Sequence, residues 1–478
     1  MASKLLNIIF KLGLGIIFAS YGHCQEYSRH IQDFLEHNFM HNQTGLVVQS
    51  LPDNKILYQH NADKLFVPAS LVKLFTLASS LEELSPQFKF KTSVKWNPKY
   101  FENNKLKNDL AIVFSGDPSF TQDNLEQLIL DVKKQGVNTI TGNLIIDDTL
   151  FSEWHGDGWA IDDLSWGYAA PSSSIVIAEN KIPISIKPIN TLGQPVEFFI
   201  DHRHKALYPF NINSKVIAVT KQQSDYDCKL QIKINHQNDP FFSGCAQIDP
   251  STQNISLALN SPRKYLKKLL MLYLHQHNIN LIGTIVFAKC PNKFIDLKIH
   301  KSLPLFDLLK IMMKNSNNMY ANNIGKALGA KLYDHGSFKT STKAIMNILQ
   351  KKFTINTSTL DLFDTSGLSI YNVATPNHFL RLLQAIYNDR NLQENVIKIL
   401  SKPGEKGTLK NRLTSNDLRG NVLAKTGSLR NSSGLAGYIK TKTGRKLAFV
   451  FMVNNIIQNN SHIKQLTDEL CELLINYG

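Results

Sequence analysis

Ser70-Leu71-Val72-Lys73 is the stretch that decides the interpretation of this 478-residue chain. Residues three apart on a helix share one face, so the Lys73 amine can reach the Ser70 hydroxyl and take its proton. Ser316-Asn317-Asn318 and Lys425-Thr426-Gly427 follow it in the order of a second and a third active-site motif of serine acyl-transfer enzymes. Together they predict a catalytic set of Ser70, Lys73, Ser316, Asn318 and Lys425.

The chemistry of a serine nucleophile sets conditions on its neighbours. A lysine activates a hydroxyl only when it is neutral, so the pKa of Lys73 must be lowered by its apolar neighbours and by the charge of Lys425. The backbone N–H groups of Ser70 and Ser428 are candidate donors to a developing oxyanion. Gly427 is predicted to let a substrate backbone approach closely.

Copies of the same short motifs occur elsewhere and weaken each motif taken alone. Ser-x-x-Lys recurs at Ser261 and Ser461, where the serine is predicted to cap a helix. Lys442-Thr443-Gly444 lies between two apolar runs and is predicted to be a hairpin turn. The order of the chosen three motifs and their predicted context distinguish them from these copies.

Composition narrows the classes of partner. The chain carries 53 Lys and Arg against 38 Asp and Glu, a formal charge of +15, but no dense basic run is interleaved with aromatic residues. No nucleic-acid partner is therefore expected, whereas a diffuse positive field is compatible with an anionic polymer or with peripheral contact to a membrane. The sequence gives no indication of the oligomeric state.

The N-terminus has the pattern of a secretory signal. A short basic start, an apolar run from Leu5 to Phe18 and small residues up to Gly22 predict a cleaved signal peptide at residues 1–22 and a periplasmic location. An uncleaved anchor stays open as the alternative, although the run is shorter than the roughly 20 residues of a membrane span.

Cysteines and histidines predict no metal site and no cofactor. The five cysteines are too dispersed for a disulfide framework or a metal cage, and no His-Glu-x-x-His motif is present. Cys228 and Cys245 flank a segment that can fold back on itself, so one bridge between them stays open in an oxidising compartment.

Periodicity predicts a multi-domain α/β fold with a discontinuous catalytic domain. Four short strands, Leu46 to Ser50, Lys55 to Gln59, Gly437 to Thr441 and Lys446 to Asn454, are expected in one sheet. Helices are expected at Ser70 to Leu84, Ser261 onward, Leu305 to Lys314, Met319 to Leu332, Pro376 to Tyr387 and His462 to Tyr477. The stretch between about Thr92 and Lys293 is predicted to be a large, mainly β insertion. The predicted division is residues 26–91 with 294–478 for the catalytic domain, 92–187 with 261–293 for one inserted domain, and 188–260 for another.

The ordered motifs resemble those of the D-alanyl-D-alanine carboxypeptidase/endopeptidase family of low-molecular-mass class C penicillin-binding proteins, peptidase family S13. The resemblance covers nearly the whole mature chain. It is carried by Pro68 to Leu74, Ser115 to Pro118, Gly142 to Asp148 with Gly158-Trp159, Ser316 to Ala321, Asp364 to Ser369, and Lys425 to Leu429 with Leu435 to Tyr438. It implies a transpeptidase-like, β-lactamase-like catalytic domain interrupted by an insertion.

The resemblance also implies roles in cutting peptidoglycan stem peptides. Ser70 would attack the penultimate D-alanine with Lys73 as base, and Ser316 with Asn318 would relay a proton and hold the substrate amide. Lys425 and Thr426 would bind the terminal carboxylate, and β-lactams would trap the acyl-enzyme.

The resemblance further implies that the diaminopimelate side chain of the stem peptide is recognised, here by Asp163 and Tyr168. The chain departs from the family pattern at Ile370, where arginine is usual, and at Arg430, where glutamine is frequent. We expect Arg430 to supply the cation lost at Ile370.

Three readings stay open from the sequence. The first is a serine DD-peptidase that removes the terminal D-Ala, cleaves the D-Ala to diaminopimelate cross-link, or does both. A β-lactamase would share the motifs, but neither Glu394 nor Glu405 lies in the Glu-x-x-Leu-Asn segment of class A enzymes. A peptidoglycan-binding or β-lactam-sensing module without turnover is the third.

Overall fold

The computed structural model describes residues 27–51, 53–152, 154–187, 189–200, 206–208, 210–226, 228–457 and 460–477. The predicted signal peptide at residues 1–22 lies outside this part of the chain. The helices within it are α1 (residues 27–38), α2 (Val72–Leu84), α3 (Gln122–Lys134), α4 (Lys221–Tyr226), α5 (Pro262–Gln276), α6 (Leu305–Asn315), α7 (Asn318–Tyr333), α8 (Phe338–Phe353), α9 (Pro376–Asn388), α10 (Arg390–Ile399) and α11 (Asn460–Tyr477).

The strands are more numerous and mostly shorter than the helices. In the same described residues they are β1 (Gln43–Ser50), β2 (Ile56–His60), β3 (Lys91–Trp96), β4 (Phe101–Glu102), β5 (Lys105–Leu106), β6 (Leu110–Val113), β7 (Thr139–Ile140), β8 (Leu144–Asp147), β9 (Lys181–Ile186), β10 (Phe198–Phe199), β11 (Asn213–Ser214), β12 (Ile217–Val219), β13 (Gln231–Ile234), β14 (Pro240–Ser243), β15 (Cys245–Gln247), β16 (Gln253–Ala258), β17 (Asn280–Leu281), β18 (Ile285–Phe287), β19 (Ile295–Lys301), β20 (Val422–Leu429), β21 (Ser432–Lys440) and β22 (Lys446–Asn454). The predicted mixed α/β class is confirmed.

The two ends of the chain meet in one antiparallel sheet with the strand order β2-β1-β22-β21-β20. The four strands expected in one sheet are therefore β2, β1, β22 and β21. Strand β20 carries the third motif and forms an edge of this sheet. An edge strand keeps part of its backbone unpaired, so β20 is free to bind another extended segment.

Both faces of this sheet are buried by helices. Along β22, Ala448, Val450 and Met452 face a core that includes α2, α6, α7, α8, α9 and α10. The alternate residues of β22 face α1 and α11 on the other side. This period of two is that of a strand whose two faces are both covered.

Helix α2 lies at the centre of the catalytic domain. Leu74, Phe75, Leu77 and Ala78 are all fully buried, and the Phe75 ring stacks on Phe379 with centroids 4.4 Å apart. A helix that is apolar nearly all round is a core helix. A 3-10 turn, Ala69–Leu71, precedes it, and this turn places Ser70 at the start of the buried helix.

The segment between β3 and β19 leaves and rejoins the rest of the fold through these two paired strands. Strands β3 and β19 are antiparallel neighbours at one edge of a five-stranded sheet with the order β18-β8-β6-β3-β19. Helices α3 and α5 bury a second core with this sheet and with β9 and β16. Further along, Cys228 and Cys245 form a disulfide with 5.5 Å between their Cα atoms, so the bridge left open by the sequence is present.

Candidate active site

Ser70 and Lys73 lie together as the first motif predicts. The Lys73 Nζ atom is 2.9 Å from the Ser70 Oγ atom. It is also 2.6 Å from Oδ1 of Asn318 and 2.5 Å from the carbonyl oxygen of Ser366. These last two oxygens can only accept hydrogen bonds. When the amine is neutral, its two N–H bonds point at them and its lone pair faces the Ser70 hydroxyl.

Burial sets the protonation of Lys73. Its side chain is completely buried, and removal from water lowers its pKa to about 7, although the Asp364 carboxylate acts in the opposite direction and raises it. The two buried lysines also repel each other. Desolvation and, after it, repulsion by Lys73 hold the pKa of Lys425 well below its usual range.

The second and third motifs meet on the other side of the nucleophile. The Lys425 Nζ atom donates to Ser316 Oγ at 2.9 Å and to the Thr426 carbonyl at 2.6 Å. Ser316 ends α6 in a left-handed conformation, with φ at 53°, and α7 begins two residues later at Asn318. This short break between two helices turns both side chains toward Ser70.

The orientation of the Asn318 amide follows from its two partners. Its Nδ2 donates to the Tyr168 carbonyl at 2.8 Å, which leaves Oδ1 to accept from Lys73. Between the two motif residues, Asn317 caps α7 by accepting from the Tyr320 amide and donates to Glu179 at 2.7 Å. The inserted region thus holds the second motif directly.

The outward edge of β20 presents backbone amides toward the cavity. The Ala424 amide donates to the Ser401 carbonyl at 3.1 Å, so Ala424 faces away from β21. The register from Val422 to Leu429 is unbroken, and antiparallel residues alternate in the direction of their N–H groups. The Thr426 and Ser428 amides therefore also face outward, and both residues line the cavity that contains Ser70.

Gly427 meets a packing requirement beside Ser70. A Cβ atom at this position would lie 2.8 Å from the Pro68 carbonyl oxygen and 3.3 Å from the Ala69 Cβ. The glycine is needed for the approach of β20 to the turn that carries the nucleophile.

Asp364 is a central residue that the sequence analysis did not assign. The buried carboxylate accepts from the Trp159 indole at 2.9 Å, from the Gly367 amide at 2.7 Å and from the Ser369 amide at 3.0 Å. These bonds close a turn that presents the Ser366 carbonyl to Lys73. The sequence feature that could have pointed to Asp364 is the stretch Asp364 to Ser369, which is part of the family resemblance but was assigned no role.

Gly367 in the same turn meets the nucleophile segment. Its φ is +80°, and a Cβ atom there would lie 1.8 Å from the Ala69 carbonyl oxygen. Only a glycine allows this contact. The turn at residues 364–369 and the turn at Ser70 are therefore packed directly against each other.

A cavity of about 860 Å³ opens above these groups. Ser70, Ser316 and Asn318 line it, and so do the expected substrate-binding residues Asp163, Tyr168, Thr426, Ser428 and Arg430. The Tyr168 hydroxyl donates to Asp163 at 2.6 Å, and burial together with this carboxylate raises the pKa of Tyr168. Ile370 is half exposed but is not among the residues lining this cavity.

The copies of the motifs lie in other settings. Ser261 precedes α5, but its hydroxyl donates to the His236 carbonyl at 3.2 Å and makes no cap, so that part of the prediction is wrong. Ser461 lies inside the first turn of α11 rather than before it. Lys442 to Gly444 form the predicted turn between β21 and β22, and Lys442 pairs with Asp417 at 2.6 Å.

No candidate metal site accompanies these groups in the part of the chain that the structure describes. Within it, no cluster of three or more His, Cys, Asp or Glu side chains is arranged to hold a metal ion.

Comparison with known proteins identifies the family. Residues 27–477 match the model of the D-Ala-D-Ala carboxypeptidase 3 (S13) family. The D-alanyl-D-alanine carboxypeptidase DacB of Haemophilus influenzae is 30% identical over 414 residues, which are 86% of this chain and 85% of that protein. The D-alanyl-D-alanine carboxypeptidase of Actinomadura sp. strain R39 is 27% identical over 426 residues, or 86% of this chain and 77% of the relative.

A solved structure agrees with these sequence matches. The crystal structure of penicillin binding protein 4 (dacB) from Haemophilus influenzae superposes with a TM-score of 0.85 at 28% identity, covering 94% of this chain and 99% of the other. The likeness extends over the inserted region as well as the catalytic sheet. This chain belongs to the D-Ala-D-Ala carboxypeptidase 3 (S13) family and is a serine-type D-Ala-D-Ala peptidase.

Proposed function

We propose that Ser70 is the nucleophile and Lys73 the base of this peptidase, acting on peptidoglycan stem peptides. The observation that carries the proposal is the environment of the Lys73 amine, whose two other neighbours are acceptors and whose pKa is near neutrality. The neutral amine takes the hydroxyl proton while Oγ attacks the carbonyl carbon of the penultimate D-Ala. The negative charge on the carbonyl oxygen is met by the Ser70 and Ser428 amides.

Collapse of this intermediate needs a proton for the leaving amine. The Ser316 oxygen accepts from Lys425, so the Ser316 hydroxyl proton is free to be donated. The C–N bond breaks as the amine takes that proton, and transfer of the proton held by Lys73 to the Ser316 oxygen returns both groups to their starting states. Water then attacks the ester carbonyl as neutral Lys73 takes a proton from it, and the bond to the Ser70 oxygen breaks as Lys73 returns that proton to it, which releases the carboxylic acid and restores Ser70.

Substrate placement follows from the cavity. Asn318 holds the amide of the acyl residue, and Thr426 with Lys425 binds the carboxylate of the leaving residue. A bound carboxylate favours the charged form of Lys425, which burial disfavours in the empty site. Gly427 contributes by keeping β20 close to the nucleophile segment.

Intact-protein mass after benzylpenicillin, together with D-alanine release from a pentapeptide, tests the proposal. We expect a slowly hydrolysed adduct and release of D-alanine, with both lost in Ser70→Ala. Fast turnover of penicillin would instead indicate a β-lactamase, and a stable adduct without any release would indicate a sensing module. Glu394 and Glu405, the two glutamates considered for a β-lactamase, do not line the cavity. Glu394 pairs with Arg390, and Glu405 pairs with Lys314.

Arg430 is proposed to bind the carboxylate of the diaminopimelate side chain, opposite Asp163 and Tyr168. It lines the cavity, and in the described part of the chain it has no acidic partner within ion-pair distance. Arg430→Ala should raise KM for a diaminopimelate peptide about fivefold relative to a peptide with lysine at that position, the scale of one partly exposed ion pair. Equal effects on both peptides would contradict this role, and Arg419→Ala, an exposed site outside the cavity, is the matched control.

Export to the periplasm is proposed from the segment 1–22. None of the described helices combines the length and the apolar character needed to cross a membrane. N-terminal sequencing of the protein recovered from the periplasmic fraction should find a chain that begins close to residue 23. Recovery of the full-length chain from the membrane fraction would favour the uncleaved anchor.

The division into domains is proposed as predicted from the sequence, with residues 26–91 and 294–478 forming the catalytic domain and 92–187, 261–293 and 188–260 the insertions. The pairing of β3 with β19 at the junction and the separate second core support the separation of the insertions from the catalytic domain. Limited proteolysis should then cut first at the boundaries near residues 188 and 260. Initial cuts inside the catalytic sheet would contradict the division.

A further inference from the structure

A loop at residues 407–412 closes one end of the catalytic cavity. It is fixed at its start by the Thr408 amide, which donates to the Lys314 carbonyl at 3.0 Å, two residues before the second motif. It is fixed at its end by Arg412, whose guanidinium contacts Asp468 of α11 at 2.6 Å and 2.9 Å. The loop therefore bridges the second motif and the last helix, and it lines the cavity between them.

Three cations of this region line the cavity, and we call them the basic wall: Lys410, Arg412 and Lys464. Arg412 is neutralised by Asp468, but among the described residues neither Lys410 nor Lys464 has an acidic partner within ion-pair distance. The Arg412 guanidinium donates to the Lys464 carbonyl at 2.9 Å, which places both residues side by side. Burial and the charge of Arg412 lower the pKa of Lys464.

The wall adjoins the groups proposed to act on the leaving residue, because its loop is anchored at Lys314, two residues before Ser316, and Ser316 accepts from Lys425. Asn460 at the start of α11 donates to the Leu429 carbonyl at 2.8 Å, so this helix begins beside the end of that strand. Among the described residues that line the cavity, the acidic one is Asp163, and its carboxylate already accepts a hydrogen bond from Tyr168. Unpaired cations that share a concave site concentrate anionic ligands there.

We propose that the basic wall is a subsite for carboxylates on the leaving side of the substrate. This inference rests on the proposed function, in which Lys425 and Thr426 already take the carboxylate of a single leaving D-Ala. A single leaving D-Ala has one carboxylate, which Lys425 and Thr426 bind, so no carboxylate remains for the basic wall. A leaving group that is itself a peptide carries further carboxylates, and the cavity, at about 860 Å³, falls within the size range of pockets that enclose ligands far larger than one alanine.

The wall accordingly favours substrates whose leaving side is an acidic peptide over substrates that release one amino acid. Lys410 and Lys464 contact the leaving chain, while Arg412, held by Asp468, positions the loop and Lys464. These three residues contribute to the binding of the leaving chain in its subsite. Bond formation at Ser70 needs none of these three groups.

The test compares two substrates and two charge-matched variants. Values of kcat/KM are measured for a cross-linked stem-peptide dimer and for a pentapeptide that releases D-Ala. The variants are Lys410→Gln/Lys464→Gln and, as control, Lys351→Gln/Lys352→Gln, two exposed lysines on α8 outside the cavity. We expect the ratio of dimer to pentapeptide to fall about tenfold in the first variant and to stay at the parent value in the control.

Salt gives a second readout that needs no variant. The Debye length falls from about 10 Å at 0.1 M to about 3 Å at 1 M ionic strength, so the parent ratio should fall with salt. A ratio that is unchanged by both the substitution and salt overturns the subsite. Failure of the parent to cleave either substrate, with benzylpenicillin acylation intact, would overturn the proposed function itself and the wall with it.

Discussion

The protonation of Lys73 makes the rate of acylation depend on pH in a way that the structure fixes. With a pKa of about 7, the neutral, base-competent form is about a tenth of the protein at pH 6, about half at pH 7 and about nine tenths at pH 8. The rate constant for acylation by benzylpenicillin should follow these fractions, because the lysine must be neutral to take the Ser70 proton. Stopped-flow or quenched mass spectrometry across this range measures the profile.

Lys73→Arg is the matched perturbation. A guanidinium keeps the positive charge and most of the length but does not lose its proton in proteins, so it cannot act as base. We expect acylation to slow by about 10² to 10⁴, the usual contribution of a general base, and the midpoint near pH 7 to disappear. A parent rate that is flat between pH 6 and 8, or that rises only near pH 10, would refute the assignment of Lys73 as the base.

Two further predictions concern the framework of the site. Gly367→Ala should slow acylation and lower the free energy of unfolding in urea by about 1–3 kcal/mol or more, because its Cβ would overlap the Ala69 carbonyl. Gly404→Ala is the control, since Gly404 has a similar φ of 78° but nothing within 4 Å of its Cβ position, so this variant should show the backbone strain alone. Equal effects of the two substitutions would show that the contact with Ala69 is unimportant. Replacing both Cys228 and Cys245 by serine should lower the free energy of unfolding by about 3 kcal/mol, the scale for a closed loop of 17 residues. The same replacement should speed amide exchange in β12 to β15, and Cys290→Ser is the control. Unchanged exchange in those strands would contradict a stabilising role for the bridge.

The parts of the site that were predictable are those carried by local spacing. Ser70 and Lys73 are three residues apart, so helical geometry alone brings them together. Ser316 and Asn318 were predictable from the break between two helical patterns, and Lys425 from its strand. The five expected helices that frame them lie within two or three residues of their predicted ends.

The parts that were not predictable depend on contacts between distant segments. The Ser366 carbonyl reaches Lys73 across 293 positions, and the Asn317 amide reaches Glu179 across 138. No local periodicity reports such a contact. The packing requirement at Gly427 was not predictable for the same reason, since the group that it must avoid, the Pro68 carbonyl, is far away in sequence.

Helix α8 was missed for a different reason. It has a capping box at Ser337 and buries Ile345 and Leu349, but its sequence is rich in Thr, Ser and Lys, which weakens the apolar stripe. Packing against α7 and α2 stabilises it in the folded protein. Tertiary burial here outweighs a modest local propensity.

Locating the bond that penicillin forms tests the central claim most directly. Tandem mass spectrometry of peptides from benzylpenicillin-treated protein should place the adduct on the Ser70 hydroxyl in the parent and in Ser261→Ala, and should find none in Ser70→Ala. An adduct on another residue, or an equal amount of adduct after Ser70→Ala, would contradict the account.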